Sequence, residues 1–223
     1  MSIVNIKLSD YDALIFDMDG TVVDNMRAHK KAWRKYIAKH GKKIRKISDK
    51  DFRKHISGNK NDKIFAYLLG YKPSLEELAK LADEKEALYR KLYKPEISEV
   101  LGLTVLVNQL HDADVKLAIA TTSPKKNREF ILKSLRLENE FDIIVGEEHV
   151  IHGKPNPEIY LNTAKQLGVP VNRCLVFEDS PPGVLSAKEA GMKTVAVLTS
   201  HTEDELSKAD YFVNDFSEIS LVK

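Results

Sequence analysis

Several features that would point to a particular setting are missing from this sequence. It has one cysteine, Cys174, in 223 residues, so an internal disulfide is excluded. That cysteine sits inside an apolar stretch and reads as a packed core thiol. No apolar run approaches the roughly 18 residues that span a bilayer, so no membrane partner is expected. The opening MSIVNIKLSDYD lacks the basic-then-apolar layout of a secretory signal, which makes a cytoplasmic address the expectation. An excess of one charge is also missing: 35 Lys and Arg face 33 Asp and Glu. The resulting +2 offers no reason to expect nucleic acid as a partner. A basic run over 39–54 reads as a solvated face with some capacity to steer anions. Repeats and low-complexity tracts are absent, and the histidines lack the clustering of a zinc site. What is present suits a packed core, with 43% hydrophobic and 30% charged residues. The length fits one core plus a sizeable insertion.

Short apolar runs rich in β-branched residues recur along the chain: ALIF at 13–16, VKLAIA at 115–120, FDIIV at 141–145, CLVF at 174–177 and TVAVL at 194–198. Strands covered on both faces need not alternate, so these predict the buried strands of a parallel sheet. Helical patterns lie between them. Ser123-Pro124 and Ser180-Pro181 each offer a capping hydroxyl before a proline suited to the first helical position. Strand-helix alternation of this kind predicts an α/β protein with a doubly wound parallel sheet.

One connection breaks the pattern. Between the first strand and the next core-like segment lie residues 24–95, against a usual connection of about two to six residues. Segments 26–41, 59–70 and 73–93 read as helices, with Ser74 and Glu77 as a capping box and Gly41 and Gly70 as stops. The expectation is a helical bundle over 24–95, inserted into a core made of 1–23 and 96–223.

Asp17 and Asp19 fall just past the carboxyl end of the first strand, where open α/β sheets bind ligands. Polar clusters follow the next three strands in the same way: Thr121-Thr122-Ser123, HGKPNP at 152–157, and Glu178-Asp179-Ser180. All should meet at one sheet edge. Carboxylates crowded there repel one another and persist only with a cation, a proton or both. Three aspartates with Lys154 and hydroxyl donors suit a hard divalent cation, Mg²⁺, beside an anionic group. A phosphoryl group meets both demands.

These four clusters, DMDGT, the hydroxyl after the second strand, the GKP lysine and EDS, resemble in order the four motifs of the haloacid dehalogenase superfamily. The insertion after the first motif resembles its capped phosphatase and β-phosphoglucomutase-like branch. The resemblance covers essentially the whole chain and implies a Rossmann-like core with an inserted helical-bundle cap domain. It implies that Asp17 attacks phosphorus in line and becomes an aspartyl-phosphate, so that one hard displacement is split into two easier ones. Asp19 then protonates the leaving oxygen and later deprotonates water, which requires it to start neutral beside an ionised Asp17. Mg²⁺ falls to the Asp17 carboxylate, the Asp19 backbone carbonyl and Asp179, with Glu178 either a ligand or an orienting group. Thr121, with backbone N–H groups around Thr122, meets phosphoryl oxygens, and Lys154 offsets negative charge. Gly20 permits a tight turn and close approach of backbone to phosphate.

In the insertion, Asp24 and Asn25 mark the expected hinge. His29 and Trp33, four residues apart, share a helix face, and the resemblance favours His29 as a residue near the substrate. Lys60 and Asn61, in GNKND at 58–62, are expected at the substrate's distal part. Phosphatase and mutase share every core motif. The arginine with which the mutases grip a second phosphate has no counterpart in GNKNDK, and a lysine is a less specific clamp. The expected activity is therefore hydrolysis of a small phosphorylated metabolite, a sugar phosphate, by a monomer, with β-phosphoglucomutase-type isomerisation as the alternative. A dehalogenase needs neither Asp19 nor Asp179. A phospho-accepting receiver module is about half as long and has no helical insertion.

Overall fold

A computed structural model describes residues 3–41, 44, 45, 47–56 and 61–223. The chain forms two compact units, one of residues 1–25 and 97–223 and the other of residues 26–96. Asp24 and Asn25 thus fall with the core rather than with the insertion.

The core unit is built on β2 (Ala13–Phe16), β3 (Lys116–Ala120), β4 (Ile143–Val145), β5 (Cys174–Glu178), β6 (Lys193–Val197) and β7 (Tyr211–Val213). They form one sheet in the order β4-β3-β2-β5-β6-β7, every pairing parallel. All four β2 residues are buried, as a strand covered on both faces requires. Chain order reverses beside β2, which lies between β3 and β5, and in such sheets the ligand crevice opens at that point. Register keeps the strand ends level, since Phe16 lies opposite both Ile119 and Phe177. The Phe16 and Phe177 rings stack at 4.7 Å, and Phe216 packs on both. This aromatic cluster is a rigid apolar base directly before Asp17 and Glu178.

The sheet is as expected for a Rossmann-like core, with differences at its margins. β1 (Val4–Lys7) and β8 (Ile219–Val222) pair parallel with each other in a separate two-stranded sheet. With β7 they were not predicted, because they are only three or four residues long and partly exposed. Helices α5 (Leu103–Asp112), α6 (Lys125–Leu135), α7 (Glu158–Leu167) and α8 (Pro181–Glu189) connect the strands. Ser180 caps α8 as predicted, accepting from the Gly183 N–H at 3.2 Å. Ser123 does not cap α6: Pro124 stands at that position, and the Ser123 N–H turns back to Thr121 Oγ1 at 3.1 Å. Cys174 is fully buried, its thiol pushed up to about 11 by burial, which suits a core role.

The other unit holds α1 (Met26–His40), α2 (Asp49–His55), α3 (Asn61–Leu69) and α4 (Leu75–Tyr93). Trp33, Tyr36, Phe52, Ile64, Phe65 and Leu68 form its core. α2 falls within the basic run where no helix was expected, and a complete Ser48–Asp51 capping box starts it. The predicted box at Ser74 is half made. Its hydroxyl accepts from the Glu77 N–H, while the Glu77 carboxylate accepts from the Tyr71 hydroxyl at 2.6 Å. Among the described residues no helix is long and apolar enough to cross a membrane.

Candidate active site

Asp17 is the first residue past β2, and its N–H continues the ladder to the Phe177 carbonyl at 3.0 Å. Its carboxylate is therefore presented from rigid sheet. The Lys154 ammonium donates to Asp17 Oδ1 at 2.6 Å, to Glu178 Oε1 at 2.6 Å and to the Ala120 carbonyl at 3.1 Å. Three acceptors match its three protons, and they tie together the ends of β2, β3 and β5.

Glu178 is the most constrained group here. Oε1 also accepts from the Tyr160 hydroxyl at 2.8 Å, and Oε2 accepts from the Asp179 and Ser180 N–H groups and the Ser180 hydroxyl. A side chain at Gly183 would place its Cβ 1.8 Å from Glu178 Oε1, so this turn of α8 can carry only glycine. With both oxygens engaged, Glu178 is better suited to orient Lys154 than to bind metal directly. One oxygen each from Asp17, Glu178 and Asp179 nonetheless lie within 4.8 Å of one another. At Gly20, φ is +88°, and a Cβ there would fall 2.0 Å from Asp179 Oδ2, so the tight turn predicted for Gly20 also makes room for that carboxylate.

Burial sets the electrostatics. It raises the Asp17 carboxyl to about 7, with Glu178 and Asp19 adding to the shift and Lys154 opposing it. Asp179 is pushed well above the usual carboxylate range by burial and by the neighbouring Glu178 and Asp17. Burial alone would lower Lys154, but Asp17 and Glu178 outweigh it and hold the ammonium well above its usual value. Lys154 cannot compensate this many carboxylates. Clustered hard oxygen donors short of positive charge fit a divalent cation such as Mg²⁺.

Asp19 is half-buried, and the Asn25 amide donates to its Oδ1 at 2.5 Å. Asn25, expected from the sequence as a hinge and substrate-binding residue, is itself fully buried, with its amide on Asp19. Thr121 is buried at the end of β3, while Thr122 is exposed. In the other unit, His29 stacks on Tyr89 at 3.8 Å and Asn61 opens α3. Lys60 lies outside the described residues.

Five contributing residues, on two helices and one loop, were missed. Tyr160 comes from the first turn of α7 with no motif of its own around it. Arg128 donates to the Ser123 carbonyl at 2.7 Å and pairs with Glu148, bracing the loop after β3. Thr199, Ser200 and His201 follow β6, with the Thr199 hydroxyl on the Gly20 carbonyl and the Ser200 hydroxyl on Asp179 Oδ2. Their signal was legible, since TSH after TVAVL is one more polar cluster just past a strand.

The sequence profile of the haloacid dehalogenase-like hydrolases matches residues 14–197. The chain belongs to this family. It is 33% identical to fructose-1-phosphate phosphatase YqaB of Escherichia coli strain K12, over 84% of this chain and 96% of the relative. It is 34% identical to a phosphorylated carbohydrates phosphatase of Thermotoga maritima, over 82% of this chain and 83% of the relative. Among solved structures, a β-phosphoglucomutase from Clostridium difficile superposes with a TM-score of 0.79 at 29% identity, covering 93% of this chain and 92% of that one. The expected enzyme class, a haloacid dehalogenase-like phosphatase, stands.

Proposed function

We propose that this phosphatase hydrolyses a small phosphorylated sugar or sugar-like metabolite through a phosphoryl-Asp17 intermediate, with Mg²⁺ as its resident cation. The observation that carries this is Asp17 itself, a buried carboxylate at a sheet switch point, held by Lys154 and crowded by Glu178 and Asp179. The sugar-phosphate assignment is supported by the names of the curated relatives.

The Asp17 oxygen forms a bond to phosphorus as the bond to the leaving oxygen breaks, and Asp19 gives that oxygen its proton. Water then attacks phosphorus, Asp19 takes its proton, and the bond to Asp17 breaks to release inorganic phosphate. Asn25 holds Asp19 in place through its amide. Lys154 stays protonated throughout and spreads positive charge over the nucleophile and the transferring oxygens. Thr121 and the N–H groups beside Thr122 receive phosphoryl oxygens. Bound at Asp17, Asp179 and the Asp19 carbonyl, Mg²⁺ would supply charge neutralisation and keep Asp17 ionised at neutral pH. Choice among metabolites is assigned to the inserted unit, with His29, Lys60 and Asn61 as the residues to vary. The enzyme works as a cytoplasmic monomer, a reading supported by a site made from one chain and by a free, buried Cys174.

A panel of phosphorylated metabolites with Mg²⁺, run beside Asp17→Asn and Asp19→Asn, tests this. Asp17→Asn should abolish covalent labelling, and Asp19→Asn should slow poor leaving groups most; equal activity in both variants contradicts the assignment. Isomerisation of β-glucose 1-phosphate without phosphate release would favour the mutase reading, which the β-phosphoglucomutase likeness keeps in the test.

A further inference from the structure

The loop after β6 grips Asp179 at several points. His201 Nδ1 lies 2.9 Å from the Asp179 carbonyl and 3.0 Å from Ser200 Oγ. A carbonyl only accepts, so the proton sits on Nδ1 and is directed at these oxygens. The Ser200 proton is then left for Asp179 Oδ2, to which the hydroxyl donates. The same Oδ2 occupies the space that a Cβ on residue 20 would need, and the Thr199 hydroxyl fastens the Gly20 carbonyl beside it. Oδ2 is thus pinned from two sides, whereas Oδ1 receives no hydrogen bond from any described residue.

We infer that Ser200 is a cation-selectivity residue: by occupying Oδ2 it confines Asp179 to one-oxygen coordination through Oδ1. This rests on Asp179 being the metal ligand assigned above. Mg²⁺ accepts single carboxylate oxygens at about 2.0–2.1 Å in a strict octahedron, whereas Ca²⁺, at about 2.3–2.6 Å with six to eight ligands, readily takes both oxygens of one carboxylate. A carboxylate whose second oxygen is committed to a serine therefore suits the smaller ion. Groups that orient a metal ligand change affinity by about 10- to 100-fold when removed.

Isothermal titration of the metal-free full chain with MgCl₂ and CaCl₂ tests this without reference to turnover. Ser200→Ala should weaken Mg²⁺ binding about tenfold and leave Ca²⁺ binding equal or tighter, narrowing the preference about tenfold or more. Ser200→Thr, which restores the hydroxyl, should keep the wild-type ratio. Ser200 is half-buried, so the alanine variant leaves no core cavity. Asp179→Ala serves as the control and should abolish binding of both ions. An unchanged Mg²⁺ to Ca²⁺ ratio in Ser200→Ala, with Asp179→Ala inactive in binding, overturns the selectivity role alone. Wild-type Mg²⁺ affinity in Asp179→Ala overturns the metal assignment and the inference with it.

Discussion

Lys154→Met removes the ammonium that lies between Asp17 and Glu178 while keeping an unbranched stem as far as the Cε position. The two ion pairs lost are 2.6 Å each, and the three side chains are 8%, 10% and 1% exposed for Lys154, Asp17 and Glu178. Solvent cannot replace what is lost, and stranding one partner of a buried ion pair costs about 3–5 kcal/mol. In a chain of this size each kcal/mol lowers Tm by about 2–4 °C, so the expected drop is about 6–20 °C. Thermal unfolding followed by circular dichroism at pH 8, without metal, measures it. The loss depends on pH, because Asp17 already titrates at about 7 and moves higher once its cation is gone. At pH 5 the Asp17 carboxyl is protonated, its share of the stranded charge disappears, and the difference from wild type shrinks. Adding Asp17→Asn to Lys154→Met should recover part of the stability although a second native group has been removed, because one of the two uncompensated charges goes with it. A Lys154→Met protein within about 1 °C of wild type at pH 8, against the several degrees expected of a buried pair, would refute the reasoning. So would a double variant less stable than the single one.

The folded-state value of Asp17, about 7, lies above its ordinary 3.8, so metal-free protein gives up stability through this group as pH rises from about 4 to 7. Mg²⁺ reverses that by favouring the ionised form; the Mg²⁺-induced rise in Tm should grow from pH 6 to pH 8 in calorimetry, and a flat profile would contradict it. Gly20→Ala forces a side chain into a φ of +88° and against Asp179, and it should cut both Mg²⁺ affinity and kcat/KM about 10- to 100-fold. Asp210 behaves oppositely to Asp17. Despite the opposing effect of burial, Lys188 at 2.6 Å and Lys193 at 2.7 Å hold it below its usual range. Its stabilisation is present above about pH 4 and lost as pH falls through the lowered value, so Asp210→Asn should destabilise at pH 7 and match wild type in strong acid.

How far the sequence could be read depended on whether a residue's neighbours in the chain are also its neighbours in space. ALIF, CLVF and TVAVL were legible as strands because burial on both faces writes an unbroken apolar run. Asp17, Asp19, Thr121, Lys154, Glu178 and Asp179 were legible as candidates because each lies at or shortly after the end of such a run. Ser123 was misjudged because Thr121 Oγ1 and Arg128, contacts that local sequence does not announce, draw its backbone away from capping. β1 and β8 went unseen because each is a strand only by virtue of the other, more than two hundred residues away along the chain.

From the sequence alone came the doubly wound sheet, the position of the insertion and the set of acidic residues at one edge, since apolar periodicity and short turn signals act over a few residues. Only the tertiary structure assigned Lys154 to Asp17 and Glu178, put Tyr160 and Ser200 on the carboxylates, and showed Asn25 holding Asp19. Such pairings depend on which strand ends lie level and which rotamers packing leaves open. They also decide how far each carboxylate is taken out of water, and so which of them can carry charge at neutral pH.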